Sequence, residues 1–210
     1  MTDSWVSKLY QSAISEHTRL GLKDGMAIFY TPVIYEPEIL FIGDNPGGSN
    51  GIIWTKPPEQ HDYLLDQEND YPFARKMRFI FSGQKLENLL RSSVKINRVF
   101  FQSRTIADFN HQVDWNDLQA FCLPLVNEII QTLNPRVIIA ESVGSFNSLV
   151  NQKGGAVTAE YELESDGKIL IRSGSINNRL ILGLQHPTSA RGISNEHWLM
   201  VSNKLTTILN

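Results

Sequence analysis

Four short apolar runs constrain this chain more than any other feature. They lie at residues 38–42 (Glu-Ile-Leu-Phe-Ile), 98–102 (Arg-Val-Phe-Phe-Gln), 136–140 (Arg-Val-Ile-Ile-Ala) and 179–184 (Arg-Leu-Ile-Leu-Gly-Leu). Runs this short and this continuously apolar read as strands buried on both faces, as in a parallel sheet. Segments of helical period separate most of them. Parallel neighbours need crossover connections, so the expected class is α/β: three-layer α/β/α with a central, mainly parallel four-stranded sheet.

The helical segments are legible by their stops. Residues 4–21 place Trp5, Leu9, Ile14 and Leu20 roughly along one side and end on Gly21. Residues 73–90 carry Met77, Leu86, Leu89 and Leu90, with a break expected at Ser82-Gly83. Residues 117–133 stop at Asn134-Pro135, a helix covers 145–150, and Ser194 caps a last helix to 208. Residues 27–35 read as an edge or entry strand broken by Pro32. Ser165-Asp166-Gly167 signals a hairpin between residues 157–163 and 168–172. Residues 51–72, with Lys56-Pro57-Pro58-Glu59, are irregular, and a loop of that length in a compact domain is functional or mobile.

Three apolar runs deliver polar groups to one sheet edge: Asp44-Asn45, Gln102-Ser103 and His186. In open α/β sheets ligands bind at that edge. Residues 43–50 (Gly-Asp-Asn-Pro-Gly-Gly-Ser-Asn) form a turn-rich loop directly after the first run. Such a loop either merely turns the chain or forms half of a site.

With 210 residues, of which 41% are hydrophobic, residues 1–210 suit one domain. No apolar run reaches membrane-spanning length, and the N-terminus has no secretory pattern. The single cysteine, Cys122, excludes an internal disulfide framework and any multi-cysteine zinc or iron–sulfur site, so a cytoplasmic protein is expected. His61, His111 and His197 have no ligand spacing to one another, and no metal or cofactor is expected. The net charge of −3 argues against a strongly basic nucleic-acid binder. Residues 75–104 nevertheless hold eight basic residues and one acid, either a solvated helix face or a phosphate-tracking surface.

The pair Gly43-Asp44-Asn45-Pro46-Gly47 and His186-Pro187-Thr188 resembles the two signature motifs of the uracil-DNA glycosylase superfamily. There a Gly-x-(Asp/Asn/Ala)-Pro-(Tyr/Gly) motif and a His-Pro-Ser motif each follow a sheet strand. The resemblance spans roughly residues 38–195. It implies a metal-independent, cofactor-free DNA glycosylase, a monomer acting on single-stranded, mismatched or duplex DNA. Cleavage of an N-glycosidic bond builds positive charge on the sugar and negative charge on the departing base. By resemblance Asn45 holds the water and His186 donates to the base oxygen. An amide is no strong base, so Asn45 would position the water rather than deprotonate it.

Asn45 matches the mismatch-specific and single-strand-selective branches, where Asp44 replaces an apolar residue. An acid at that position resembles the thermophilic four-cysteine branch, whose cluster this chain cannot hold. Asp44 is thus either a second water-activating group or a cap of the loop. Gly43 and Gly47 belong to the base pocket. Gly47 stands where the classical branch has Tyr, which widens the pocket toward larger bases. Phe73, then Trp54, is the expected stacking platform, with core packing as the other reading of each. The superfamily's central strand offers Asn or His to the base edge; the corresponding residues here are read as Gln102 and Ser103. Residues 188–193 form the expected DNA loop, with Thr188 and Ser189, Arg191 as plug and Ile193 as apolar wedge. Two rival readings are a non-catalytic member that binds nucleic acid or nucleotides, and an unrelated phosphate-binding α/β hydrolase. The latter lacks a Gly-Lys-Ser/Thr ending and an obvious nucleophile.

Overall fold

A computed structural model describes residues 3–48, 51–65, 71–105, 109, 113–152 and 154–209. Ser49 and Asn50 of the glycine loop, and His111, lie outside the described residues.

The chain is α/β with a mixed, largely parallel central sheet. Its strands are β1 (Ile39–Gly43), β2 (Val94–Asn97), β3 (Val137–Ala140), β4 (Ala156–Ser165), β5 (Lys168–Ile176) and β6 (Arg179–Leu184). Their order is β2-β1-β3-β6-β5-β4. The first four are mutually parallel, and β5 and β4 add antiparallel at one edge. Among the described residues the sheet therefore has six strands, the expected four parallel ones and two more. The hairpin that the sequence signals does form, through Asp166 and Gly167, both at positive φ. A second tight turn at Asn177 and Asn178, also at positive φ, folds β5 back onto β6 and joins the hairpin to the sheet.

Helices cover both faces, as continuous apolar strands require. The helices α1 (Ser4–Leu20), α4 (Trp115–Leu133) and α5 (Val143–Gln152) enclose one core with Leu40, Ile42, Ile138 and Ala140. The helices α2 (Pro72–Ile80), α3 (Gln84–Arg91) and α6 (Asn195–Ile208) enclose the other with Ile39, Phe41, Val137 and Ile139. Alternate residues of β1 and β3 thus serve opposite layers. The expected break between α2 and α3 falls at Gly83, whose φ is 95°. Gly21, at φ 62°, closes α1. The buried face of α1 is Val6, Leu9, Tyr10, Ala13 and His17; Trp5, Ile14 and Leu20 flank it.

Two expectations of strand position fail. Residues 27–35 form no strand, only isolated bridges from Met26 and Phe29; Pro32 has no N–H to extend a ladder. The second strand is Val94–Asn97, not 98–102. The backbone turns at Arg98, whose N–H reaches Gly43 O at 3.0 Å, and parallel pairing ends at Gly43 opposite Asn97. Val99, Phe100 and Phe101 are fully buried without being a strand. An apolar run reports burial, and here burial belongs to an irregular segment. Among the described residues no helix is long and apolar enough to cross a membrane.

Candidate active site

The chain leaves β1 for β2 on one side, then returns to place β3 on the other. This reversal opens a crevice at the carboxyl ends of the strands. A cavity of about 850 Å³ occupies it, lined among others by Asp44, Asn45, Phe73, Asn97, Glu141 and His186. Asn45 and His186, 141 positions apart, therefore share one cavity.

Asn45 is half-buried and its amide orientation is fixed. Nδ2 donates to Pro46 O at 2.9 Å and Ser103 O at 3.2 Å. Both amide protons are used, which leaves Oδ1 as an acceptor for something else. His186 is fixed in the complementary sense. Its Nδ1 accepts from the Ser189 N–H at 3.1 Å and the Thr188 N–H at 3.3 Å. A nitrogen that accepts from two backbone donors carries no proton, so the neutral ring bears its hydrogen on Nε2. Burial lowers the His186 pKa, against an opposing pull from the Asp44 carboxylate, and keeps the ring neutral at pH 7. Thr188 and Ser189 thus act on His186 itself. Phe73 meets the His186 ring edge-on with centroids 5.1 Å apart.

Asp44 is locked in place. Arg98 Nε donates to Oδ1 at 2.7 Å, Ser145 Oγ to Oδ1 at 2.8 Å and Ser142 Oγ to Oδ2 at 2.7 Å. Burial alone would raise its pKa. The Arg98 charge and these hydrogen bonds outweigh burial and hold the carboxyl below its usual range. Arg98 is itself held by Gln119 and Ser148 and lies over the Trp115 ring. With both oxygens engaged, Asp44 ties the β1 loop to the start of α5 and to Arg98.

Gln102 bridges two backbone segments. Its Oε1 accepts from Gly25 N at 3.1 Å and its Nε2 donates to Gly47 O at 2.8 Å. Ser103 Oγ donates to Thr105 O. Both residues line the cavity, but these contacts commit them to shaping the loop. The polar end of β2, the edge strand beside β1, is Asn97, only 4% exposed. The sequence pattern passes over it because the more apolar run at 99–101 puts the expected strand end at Gln102, five residues beyond Asn97.

Gly43 explains how Asn97 comes so close. A side-chain carbon at Gly43 would collide with Asn97 Oδ1 and stand 2.8 Å from Glu141 Oε2. At Gly47 such a carbon would meet nothing within 4 Å. The other expected residues divide. Trp54 lines the cavity and packs on Tyr30 at 5.6 Å. Ser189 lines it too, and Thr188 and Arg191 are exposed. Ile193 is partly buried and packs against the α2/α3/α6 core.

A polar group unforeseen from the sequence lies beside Asn97. Lys95 pairs with Asp62 at 3.3 Å and its ammonium sits 4.5 Å from the ring centres of both Tyr30 and Tyr63. Tyr71 donates to Asp62, and Tyr63 donates to Glu141. Burial raises the Glu141 pKa to about 7 despite the Lys95 charge. The one signal in the sequence was position: Glu141 directly follows a buried strand. His61 accepts from Tyr63 N and bonds Ser93, and His197 caps α6 with Ser194. Among the described residues no three His, Cys, Asp or Glu side chains group to hold a metal.

The basic run splits accordingly. Arg98 and Lys95 are buried ion-pair partners, Arg91 pairs with Glu87, and Lys76 bonds Asn195. Arg104 is exposed at the cavity.

No protein-family model matches the chain, and no curated protein matches its sequence.

Proposed function

We propose that this chain is a uracil-DNA glycosylase-like enzyme that hydrolyses the N-glycosidic bond of a deaminated or otherwise damaged base in DNA. The observation that carries this reading is the shared cavity of Asn45 and His186, each side chain held by backbone groups in the form its role requires. Asn45 Oδ1 accepts a hydrogen from water and aims its oxygen at the sugar. The water oxygen bonds to C1′ while the bond to the base nitrogen breaks, and its electron pair leaves on the base. His186 Nε2–H donates to the base oxygen where that charge collects. The proton lost by water passes to solvent, which returns one to the base. Phe73 offers an aromatic surface to the extruded base, and Asn97 takes the base-edge role first sought at Gln102. Gly47 leaves room for bases larger than uracil.

The test is a panel of single-stranded and duplex oligonucleotides bearing uracil, hypoxanthine or xanthine, incubated with the protein and then with alkali. At least one base should yield strand breaks. Asn45→Ala and His186→Ala should each slow that reaction by ~100-fold, the usual loss for one such group. DNA binding without cleavage of any base would instead establish the non-catalytic reading.

A further inference from the structure

The cavity floor holds chemistry that water positioning and the His186 hydrogen bond leave unused. Glu141 is 4% exposed and lines the cavity at the end of β3. Its Oε1 accepts the Tyr63 hydroxyl, while Oε2 approaches the bare backbone of Gly43 on the side where Asn97 Oδ1 also lies. The missing side chain of Gly43 therefore brings a carboxyl and an amide to one spot at the crevice. The Tyr30 hydroxyl, buried in the same wall, makes no hydrogen bond of normal geometry, although the Asn97 amide stands beside it.

We propose that Glu141 is the specificity-determining residue of this cavity, donating as a neutral acid to a keto oxygen on the base edge beside Asn97. The inference rests on the glycosylase reading and deepens it, naming Glu141 as the residue that distinguishes a keto edge from an amino edge in this cavity. A neutral carboxyl gives its proton to a keto oxygen and supports charge arriving there as the base departs. An ionised carboxyl repels that oxygen and accepts from an amino group instead.

The surroundings decide which form is present. Lys95 from β2 favours ionisation, but it is shared, at 3.3 Å, with Asp62, the first residue of a short 3-10 turn, Asp62–Leu64. Asp62 and Asp44 oppose ionisation of Glu141, and Tyr63 favours it through its hydrogen bond. Tyr71, ahead of α2, donates to Asp62 and completes the ring of charged and titratable groups around Glu141. Burial is the largest influence and raises the Glu141 carboxyl to about 7, so the donor form exists near neutrality and disappears in mild alkali. Asp44 is held ionised, His186 neutral, and Tyr30, Tyr63 and Tyr71 protonated through that range, so none of them changes state there.

The full-length protein is titrated with free uracil and hypoxanthine as keto probes, and with cytosine and adenine as amino probes, from pH 7 to 8.5. Wild-type affinity for the keto bases should fall about tenfold over this range, as for loss of one required proton, while affinity for the amino bases holds or rises. Glu141→Gln keeps a donor at every pH, so its keto-base affinity should stay flat. Tyr63→Phe removes a donor to the ionised carboxylate and should move the wild-type fall to higher pH; it decides the matter if Glu141→Gln does not fold. A pH-independent wild type, or an equal fall in the wild type and Glu141→Gln, overturns the role of Glu141 and leaves the glycosylase reading standing. Absence of binding by every nucleobase at every pH overturns the role of Glu141, and strand cleavage of the oligonucleotide panel decides the glycosylase reading separately.

Discussion

Asp44 and Glu141 are acids at the ends of neighbouring parallel strands, lining one cavity, yet they are held in opposite states. Asp44 has a guanidinium to itself and two serine hydroxyls on its oxygens. Glu141 has one tyrosine hydroxyl, and the nearby lysine is already paired with another acid. Burial pushes both upward; only Asp44 has enough positive charge and hydrogen bonding to reverse it. The lesson is that a carboxylate in a crevice is not a function. Asp44, its lone pairs engaged, holds the loop that presents Asn45. Glu141, with one oxygen free of such partners, is placed to read a ligand.

The comparison breaks most sharply at Arg98. Arg98→Met leaves Asp44 without its counterion while Ser142 and Ser145 still hold it in place. It should cost about 3 kcal/mol in chemical denaturation, as for other half-broken buried pairs. A loss below 1 kcal/mol would mean that Asp44 is stabilised mainly by water.

The pH dependence of stability sharpens it next. The folded pKa of Asp44 is depressed, so its contribution is present above the unfolded value near 4 and is lost as pH falls through the folded value. Glu141 is raised from 4.5 to about 7, so its contribution is full below 4.5 and is lost as pH rises through about 7. Urea unfolding should show the stability of Glu141→Gln relative to wild type rising between pH 4.5 and 7.5, by on the order of 3 kcal/mol. For Asp44→Asn the deficit should be largest near neutrality and close toward pH 3. Parallel curves for the two variants would contradict the opposite states of the two acids.

The smallest effect concerns the loop that Asp44 holds. Gly47 has open space where a side chain would begin. Gly47→Ala should change stability by less than about 0.5 kcal/mol. Gly47→Leu should be similarly mild in thermal unfolding, yet narrow the cavity and bias any base preference toward smaller bases. A large loss of stability in either variant would show that the loop is packed more tightly than its open backbone indicates.

Much of this arrangement was legible in the sequence because it depends on local pattern. Three of the four apolar runs became parallel strands within a residue or so, and Gly21, Gly83, Asn134 and Ser194 stop or cap helices as their chemistry dictates. Asn45 and His186 were readable because each follows such a run by a few residues. Gln102 was misassigned to the polar end of β2 because hydrophobicity at 99–101 looks alike in a strand and in a buried turn. Pairing with β1 stops at Asn97, and only the register between chain segments over fifty residues apart defines that point.

By itself, then, the sequence determined the α/β class, the helix limits and the edge at which polar residues gather. These follow from the spacing of apolar side chains and from the backbone preferences of Gly, Pro, Asn and Ser. Tertiary structure alone decided that six strands share the sheet, that Asn97 faces the crevice, and that Lys95 and Arg98 of one basic run are buried with different acids. It also decided that Asp44 is ionised while Glu141 sits near neutrality. Charge state and contact are set by burial and by partners brought from distant positions, and no local pattern carries that information.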